Sequence, residues 1–147
     1  MNIASYVATM SLNAMYEEIA RKFMNVKTLQ ELNELIVTVV KQVHTGIGDR
    51  QKKGFLNSAC GISKIGMWRA PGSLVEEHKS DPRHILINSA NSCCPGYVSI
   101  DISSSKSRKT ILWGVDTPFY LATLSDDAKE PYGEFVSECK AVKINAK

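Results

Sequence analysis

The sequence predicts an α+β fold with two N-terminal helices, a central antiparallel sheet of about five to six strands, and a closing C-terminal helix. Three observations predict it. In the first third of the chain, apolar residues recur every three or four positions, as on one face of a helix. Beyond Gly46 the pattern changes to short strand-like runs, and near the end it returns to helical spacing. The order indicates one domain over residues 1–147, with helices first and sheet second.

The helical pair occupies residues 1–44, and each helix has a start signal. Ser11 precedes the first apolar stripe, which extends over residues 12–23. Thr28 and Glu31 form a capping box, in which each side chain can bond the backbone amide of the other residue. The second helix then extends over residues 29–44.

The sheet is predicted within residues 61–116. Its strand-like segments are Gly61–Arg69, a short run that starts at Leu74, and the compact apolar run Ile85–Ile87. Two alternating runs follow, separated by a polar turn, and they predict an antiparallel hairpin. We expect its apolar side chains to be buried on one face: Ile100, Ile102, Ile111, Trp113 and Val115.

The closing helix is predicted over residues 125–143. Its apolar residues cover three turns: Tyr132, Phe135, Val136, Cys139 and Val142. Residues 139–144 also alternate as a strand would, so a strand is the alternative for this segment.

Three of these segments carry a resemblance to a known family. Leu29–Val43 looks like a helix that leads into a sheet, Tyr97–Asp116 like a hairpin below a pocket, and Leu124–Val142 like a closing helix. In this order the chain resembles the GAF domain, a small-molecule sensing module. The resemblance implies a non-enzymatic function, in which a bound ligand selects one packing of the N-terminal helices.

Five aromatic residues are the candidate ligand-binding set, because they lie on the predicted strands or near their ends. They are Trp68, Tyr97, Trp113, Phe119 and Tyr120. Packing in the core is the other interpretation of each. The alternative function is a protein-interaction, effector or inhibitor module without a small ligand.

A cysteine-dependent enzyme is a further alternative, with Cys93 or Cys94 as nucleophile and His44 or His84 as base. No C-x-x-C pair occurs and the histidines are scattered, so we predict no catalytic site, no metal and no cofactor. Gly46-x-Gly48 follows a helix, where a phosphate loop would need a preceding strand. The two basic clusters lack interleaved aromatic residues, so nucleic acid is not an expected partner.

The setting and assembly are expectations as well. No apolar run reaches the roughly 20 residues of a membrane span, and the first ten residues carry no Lys or Arg, so the prediction is a cytoplasmic protein. Leu35 and Val37 lie outside the main stripe of the second helix, which predicts a homodimer through the N-terminal helices. Internal coverage by Phe55 and Leu56 is the alternative.

Overall fold

A computed structural model of the chain describes residues 1–44, 59–80, 91–101, 103, 106–107, 109–125, 128 and 130–144. Five helices and four strands lie within these residues. In chain order they are β1 (Asn2–Ile3), α1 (Tyr6–Asn13), α2 (Glu17–Asn25), α3 (Leu29–His44), α4 (Ala59–His78), β2 (Ser92–Cys94), α5 (Ile111–Ala122), β3 (Phe135–Ser137) and β4 (Lys140–Ala141). The run Ile85–Ile87 lies outside the described residues.

The four described strands form one sheet in the order β1-β2-β3-β4. β1 is parallel to β2 and β2 is parallel to β3, whereas β3 and β4 form an antiparallel hairpin. The prediction of a central antiparallel sheet with five to six strands is therefore wrong. Parallel neighbours require a crossover connection, and helices lie in both crossovers, α1 to α4 in the first and α5 in the second.

The N-terminal prediction is correct for the second helix and wrong for the first. α3 begins at Leu29, after a capping box in which Thr28 Oγ1 accepts from Glu31 N (3.1 Å) and Glu31 Oε2 accepts from Thr28 N (3.2 Å). The first predicted helix is divided into α1 and α2, because Tyr16 has extended backbone (φ −60°, ψ 140°). The cap of α1 is Ser5, whereas Ser11 is buried inside the helix.

The predicted strand Gly61–Arg69 lies within α4. Ile62, Ile65 and Trp68 are buried at intervals of three residues, which is helical spacing. Gly66 would weaken a strand, but in α4 it allows close packing against α3. A Cβ added at Gly66 would lie 2.8 Å from Cδ1 of Ile36 on α3.

The predicted hairpin is also wrong, because its second strand is the start of α5. Thr110 caps this helix by accepting a hydrogen bond from Trp113 N (3.2 Å). Ile111, Trp113 and Val115 lie at alternate positions, yet Ile111 and Val115 are also about one helical turn apart, so this run of five residues fits both periods. The described members of the predicted buried face are exposed: Ile100, Ile111, Trp113 and Val115. Ile102 lies outside the described residues.

The C-terminal segment forms the β3–β4 hairpin, so the closing helix predicted over residues 125–143 is wrong. All three residues of β3 are buried. Two residues, Glu138 (φ 52°) and Cys139 (φ 58°), connect the strands, and positive φ at both positions is the geometry of a type I′ turn. The alternating pattern from Cys139 onward was the better guide to this segment.

The sheet has a different core on each face. On one face, α1 to α4 pack with Cys94 and Phe135, and the ring of Tyr6 meets Phe135 edge-on at 5.5 Å. On the other face, Leu121 of α5 packs on Cys93 and Val136. Within the described ranges, no helix combines the length and apolar character needed to cross a membrane.

Candidate active site

The ends of β1 and β2 place chemically useful residues together. In open sheets with parallel strands, ligands bind in the crevice beyond the carboxyl ends of the strands. At this edge β1 continues through Ala4 and Ser5 into α1, and β2 continues through Pro95 and Gly96. The side chains that surround these two ends therefore define the candidate site.

Ser5 lies directly after β1, at the start of α1. Its hydroxyl oxygen accepts a hydrogen bond from Val7 N at 3.2 Å, which fixes the side chain as the helix cap. A hydroxyl that accepts still has a proton to donate. Because Ser5 is only partly buried, that proton is available to a ligand at the strand end.

The side chain of Lys64, on α4, extends to the carboxyl end of β1. Its ammonium donates to the backbone oxygen of Ile3 at 3.0 Å and contacts Met67 Sδ at 3.5 Å. The side-chain amide of Asn2 donates to Met67 O at 3.3 Å, so the first strand and this part of α4 are joined at two points. Lys64 is partly buried, and this geometry holds its charge beside the residues that lead to Ser5.

Cys60 lies one helical turn before Lys64. Residues four apart on a helix share one face, so the thiol and the ammonium are neighbours on α4. Cys60 is free and exposed. Sequence reasoning missed this set of Ser5, Cys60 and Lys64, although a Cys-x-x-x-Lys spacing on a helix was a usable signal.

The end of β2 is covered by a different lysine. Gly96 has φ +87°, and a Cβ added there would lie 2.9 Å from Nζ of Lys109. The ammonium of Lys109 pairs with Glu138 Oε1 at 2.9 Å and lies 5.1 Å from the ring centre of Trp113. The hydrogen bond from Lys109, and then its charge, lower the pKa of the Glu138 carboxyl. Lys109 thus closes the space above Gly96.

The buried cysteines do not support a cysteine nucleophile. Cys93 is completely buried, and burial followed by the neighbouring Cys94 raises the pKa of its thiol to about 11. A neutral buried thiol is a poor nucleophile. His84 lies outside the described residues, and the side chain of His44 does too.

The five aromatic residues predicted to bind a ligand do not form one pocket. Trp68 is buried on α4 with the Arg69 guanidinium 5.4 Å from its ring, and Tyr97 and Trp113 lie at the Lys109 segment. Phe119 is exposed on α5, and Tyr120 lines a small cavity of about 120 Å³. Their role in binding stays a prediction.

A larger groove of about 510 Å³ lies elsewhere, between α2 and α3. Its basic residues Arg21 and Lys22 are already paired with Glu17 and Glu18. Among the described residues, no three His, Cys, Asp or Glu side chains form a group that could hold a metal ion. The absence of a metal stays a prediction. The strand ends are therefore the better candidate site.

The fold and this site define an α/β protein with polar side chains at the carboxyl ends of parallel strands. No family model matches the chain. It is 33% identical to carbonyl reductase (NADPH) 1 of Bos taurus over 97% of this chain and 51% of the relative. It is 34% identical to carbonyl reductase (NADPH) 1 of Homo sapiens, over 94% of this chain and 49% of the relative. Carbonyl reductase (NADPH) 3 of Mus musculus is 31% identical over the same shares of the two chains.

These relatives overturn the functional interpretation of the sequence. The chain is similar to reductases and not to a GAF-type sensor, so both the resemblance and the sensing function are wrong. The non-enzymatic interpretation and its interaction-module alternative are corrected in the same way, because the relatives are named as oxidoreductase enzymes. The chain spans about half the length of the relatives that it matches.

The names of the relatives include NADPH, and the question is whether the residues of this chain fit a dinucleotide. Dinucleotide sites place a G-x-G-x-x-G turn at the first strand-to-helix junction, where the pyrophosphate lies against the backbone. The sequence contains no such motif, and the β1–α1 junction consists of Ala4 and Ser5. The space above Gly96 is filled by Lys109. The described residues do not fit the pyrophosphate, and we derive no step through NADPH.

Proposed function

We propose that this chain acts in the reduction of carbonyl compounds, the activity for which its relatives are named, and that it supplies the groups that bind and protonate the carbonyl oxygen. The observation that carries the proposal is the position of Lys64. Its ammonium lies 3.0 Å from the Ile3 oxygen, at the carboxyl end of β1 and two residues before Ser5.

The chemistry of reduction explains why these groups suit the site. A carbonyl becomes an alcohol when a hydride adds to carbon and a proton adds to oxygen. Negative charge develops on the oxygen during this step, and fixed N–H and O–H donors stabilise it. Lys64 has three N–H donors, of which the Ile3 oxygen and Met67 Sδ take two, and Ser5 retains its O–H.

The proposal assigns the proton and the binding of oxygen to this chain, and it assigns no residue to the hydride donor. Cys60 shares the face of Lys64, but a thiol is a weaker donor than an ammonium or a hydroxyl. We therefore expect Cys60→Ala to reduce activity less than Lys64→Met.

The test is an absorbance assay in which NADPH is supplied in solution as the hydride donor at about millimolar concentration, because the described residues provide no site for its pyrophosphate. The probe substrate is 4-nitrobenzaldehyde. We expect NADPH oxidation that depends on the protein, and Lys64→Met should lower it by about 100-fold, the effect of removing one donor to a developing oxyanion. Methionine preserves the length of the side chain.

The matched control is Lys22→Met, which removes an exposed lysine of α2 that pairs with Glu18. It should retain full activity. Circular dichroism melting checks that each variant is folded. Equal rates for the wild type and Lys64→Met would overturn the proposal, and so would a wild type that oxidises no more NADPH than a protein-free sample.

A cytoplasmic setting is a further part of the proposal. What supports it is that the cysteines of the described residues are free, and free thiols are typical of reducing compartments.

A further inference from the structure

The thiol of Cys60 is a nucleophile that the proposed reduction does not use. Cys60 lies in the first turn of α4, which begins at Ala59, and it is free and exposed. The thiolate form of a cysteine is a strong nucleophile toward electrophilic carbon. Because Cys60 shares one helix face with Lys64, the question is which carbonyl compound could engage both side chains.

The packing of α4 on β1 places Cys60 beside the carboxyl end of this strand. Asn2 donates to the backbone oxygen of Met67 at 3.3 Å. One residue later on β1, Ile3 accepts from Lys64, about one turn earlier on α4, so the two elements run in opposite directions. One helical turn advances about 5.4 Å and a strand about 3.3 Å per residue. The next turn of α4, with Cys60, therefore lies level with the residues between β1 and α1.

We propose that this site captures α,β-unsaturated carbonyl compounds covalently, with the Cys60 thiol adding to the β-carbon while Lys64 and Ser5 bind the carbonyl oxygen. The inference rests on the two oxygen donors assigned in the proposed function. In these compounds the oxygen and the electrophilic β-carbon are at opposite ends of one short conjugated unit. Cβ atoms four residues apart on a helix are about 5–6 Å apart, so Cys60 and Lys64 can contact one end each.

The addition needs the same oxygen donors as the reduction. The sulfur of Cys60 forms a bond to the β-carbon, and the thiol proton passes to water. The π electrons of the C=C bond move toward the carbonyl carbon, and negative charge collects on the oxygen, where the remaining N–H of Lys64 and the O–H of Ser5 stabilise it. The α-carbon then takes a proton from water and the C=O bond forms again. The net change is the addition of S–H across the C=C bond, which requires no oxidant, reductant or hydride.

The experiment compares two electrophiles of similar size. Methyl vinyl ketone reacts through an enolate, whereas iodoacetamide reacts by displacement of iodide and develops no charge on its oxygen. Freshly reduced protein is treated with each reagent at neutral pH, and peptide mass spectrometry measures the rate of modification at each cysteine. The rate with methyl vinyl ketone divided by the rate with iodoacetamide is the ketone preference of that cysteine. This division cancels differences in exposure and in the fraction of thiolate.

The ketone preference should be at least about tenfold higher at Cys60 than at Cys139, which is partly buried in the turn between β3 and β4 and has no assigned oxygen donor. Lys64→Met should lower the ketone preference of Cys60 by at least about tenfold, because it removes one donor to the developing oxyanion. Lys64→Arg retains charged N–H donors and should preserve most of it. Lys22→Met is the matched control and should leave it unchanged.

Two results would overturn covalent capture. One is an equal ketone preference at Cys60 and Cys139 in the wild type, a comparison that depends on no variant. The other is an unchanged ketone preference in Lys64→Met, shown to be folded by circular dichroism. If that variant nevertheless loses NADPH oxidation, the proposed function stands and this inference alone is wrong. A wild type that shows the ketone preference at Cys60 but oxidises no NADPH would support capture and refute the reduction.

Discussion

Asn91 joins three parts of the fold, and its replacement gives the sharpest test of the packing. The side chain is completely buried. Its Nδ2 donates to the oxygen of Pro131 at 2.8 Å, and its Oδ1 accepts from Glu134 N at 2.9 Å. The backbone oxygen of Asn91 also accepts from Asn2 N at 2.9 Å. β1, β2 and the segment before β3 therefore meet at one residue.

Asn91→Ala removes both side-chain bonds and leaves two main-chain groups without these partners. An unsatisfied buried polar group costs about 1–3 kcal/mol, so the free energy of unfolding should fall by about 2–5 kcal/mol. That loss is a large fraction of the roughly 5–15 kcal/mol that stabilises a typical domain. The backbone bond to Asn2 N persists in this variant.

Asn91→Asp adds a dependence on pH. The aspartate can still accept from Glu134 N, but its charged form cannot donate to the Pro131 oxygen. Burial should raise its pKa in the folded state above the ordinary value of about 3.9. The folded state then binds more protons than the unfolded state, so stability is greatest below about pH 4 and falls as the pH rises through the raised pKa.

The assay is urea unfolding followed by circular dichroism, at pH 7 and at about pH 4.5. Asn13→Ala is the control, because Asn13 is exposed at the end of α1, and it should change stability by less than about 0.5 kcal/mol. The reasoning fails if Asn91→Ala matches this control. It also fails if Asn91→Asp, measured against the wild type, is less stable at pH 4.5 than at pH 7.

Two further predictions concern cysteines. Cys139→Gly should raise the free energy of unfolding by about 0.5–1 kcal/mol in urea, because glycine adopts the positive φ of Cys139 without steric cost. Cys139→Ser retains the Cβ and should not raise it. Equal stabilities of the two variants would exclude backbone strain at this position. In native protein treated with iodoacetamide, mass spectrometry should find Cys60 alkylated first and Cys93 last, since Cys60 is exposed whereas burial raises the pKa of Cys93 to about 11. Early modification of Cys93 would show that β2 opens readily.

Local signals predicted the parts of the fold that local chemistry decides. The capping box at Thr28 and Glu31 located the start of α3 to the residue. Short apolar runs were ambiguous, because Ile111 and Val115 satisfy a two-residue alternation and a four-residue helical spacing equally well. Parallel pairing was not predictable from such runs, since β1 and β2 meet across about 90 residues of intervening chain.

The site was less predictable than the fold. A strand of two residues, such as β1, is too short to produce a periodic signal, so Ser5 did not stand out as a residue at a strand end. Lys64 lies beside β1 only because α4 packs over this strand, and the contact joins residues 61 positions apart. The aromatic residues were predicted to bind a ligand together, but Trp113 and Phe119 lie on different sides of α5.

One face of the sheet is covered only in part. Sheets of parallel strands are normally covered on both faces. Ile3 pairs in register with Cys93, so both side chains point to the face that α5 covers. Cys93 is completely buried under Leu121, yet Ile3 is exposed. α5 therefore covers β2 and β3 and leaves β1 open on this face.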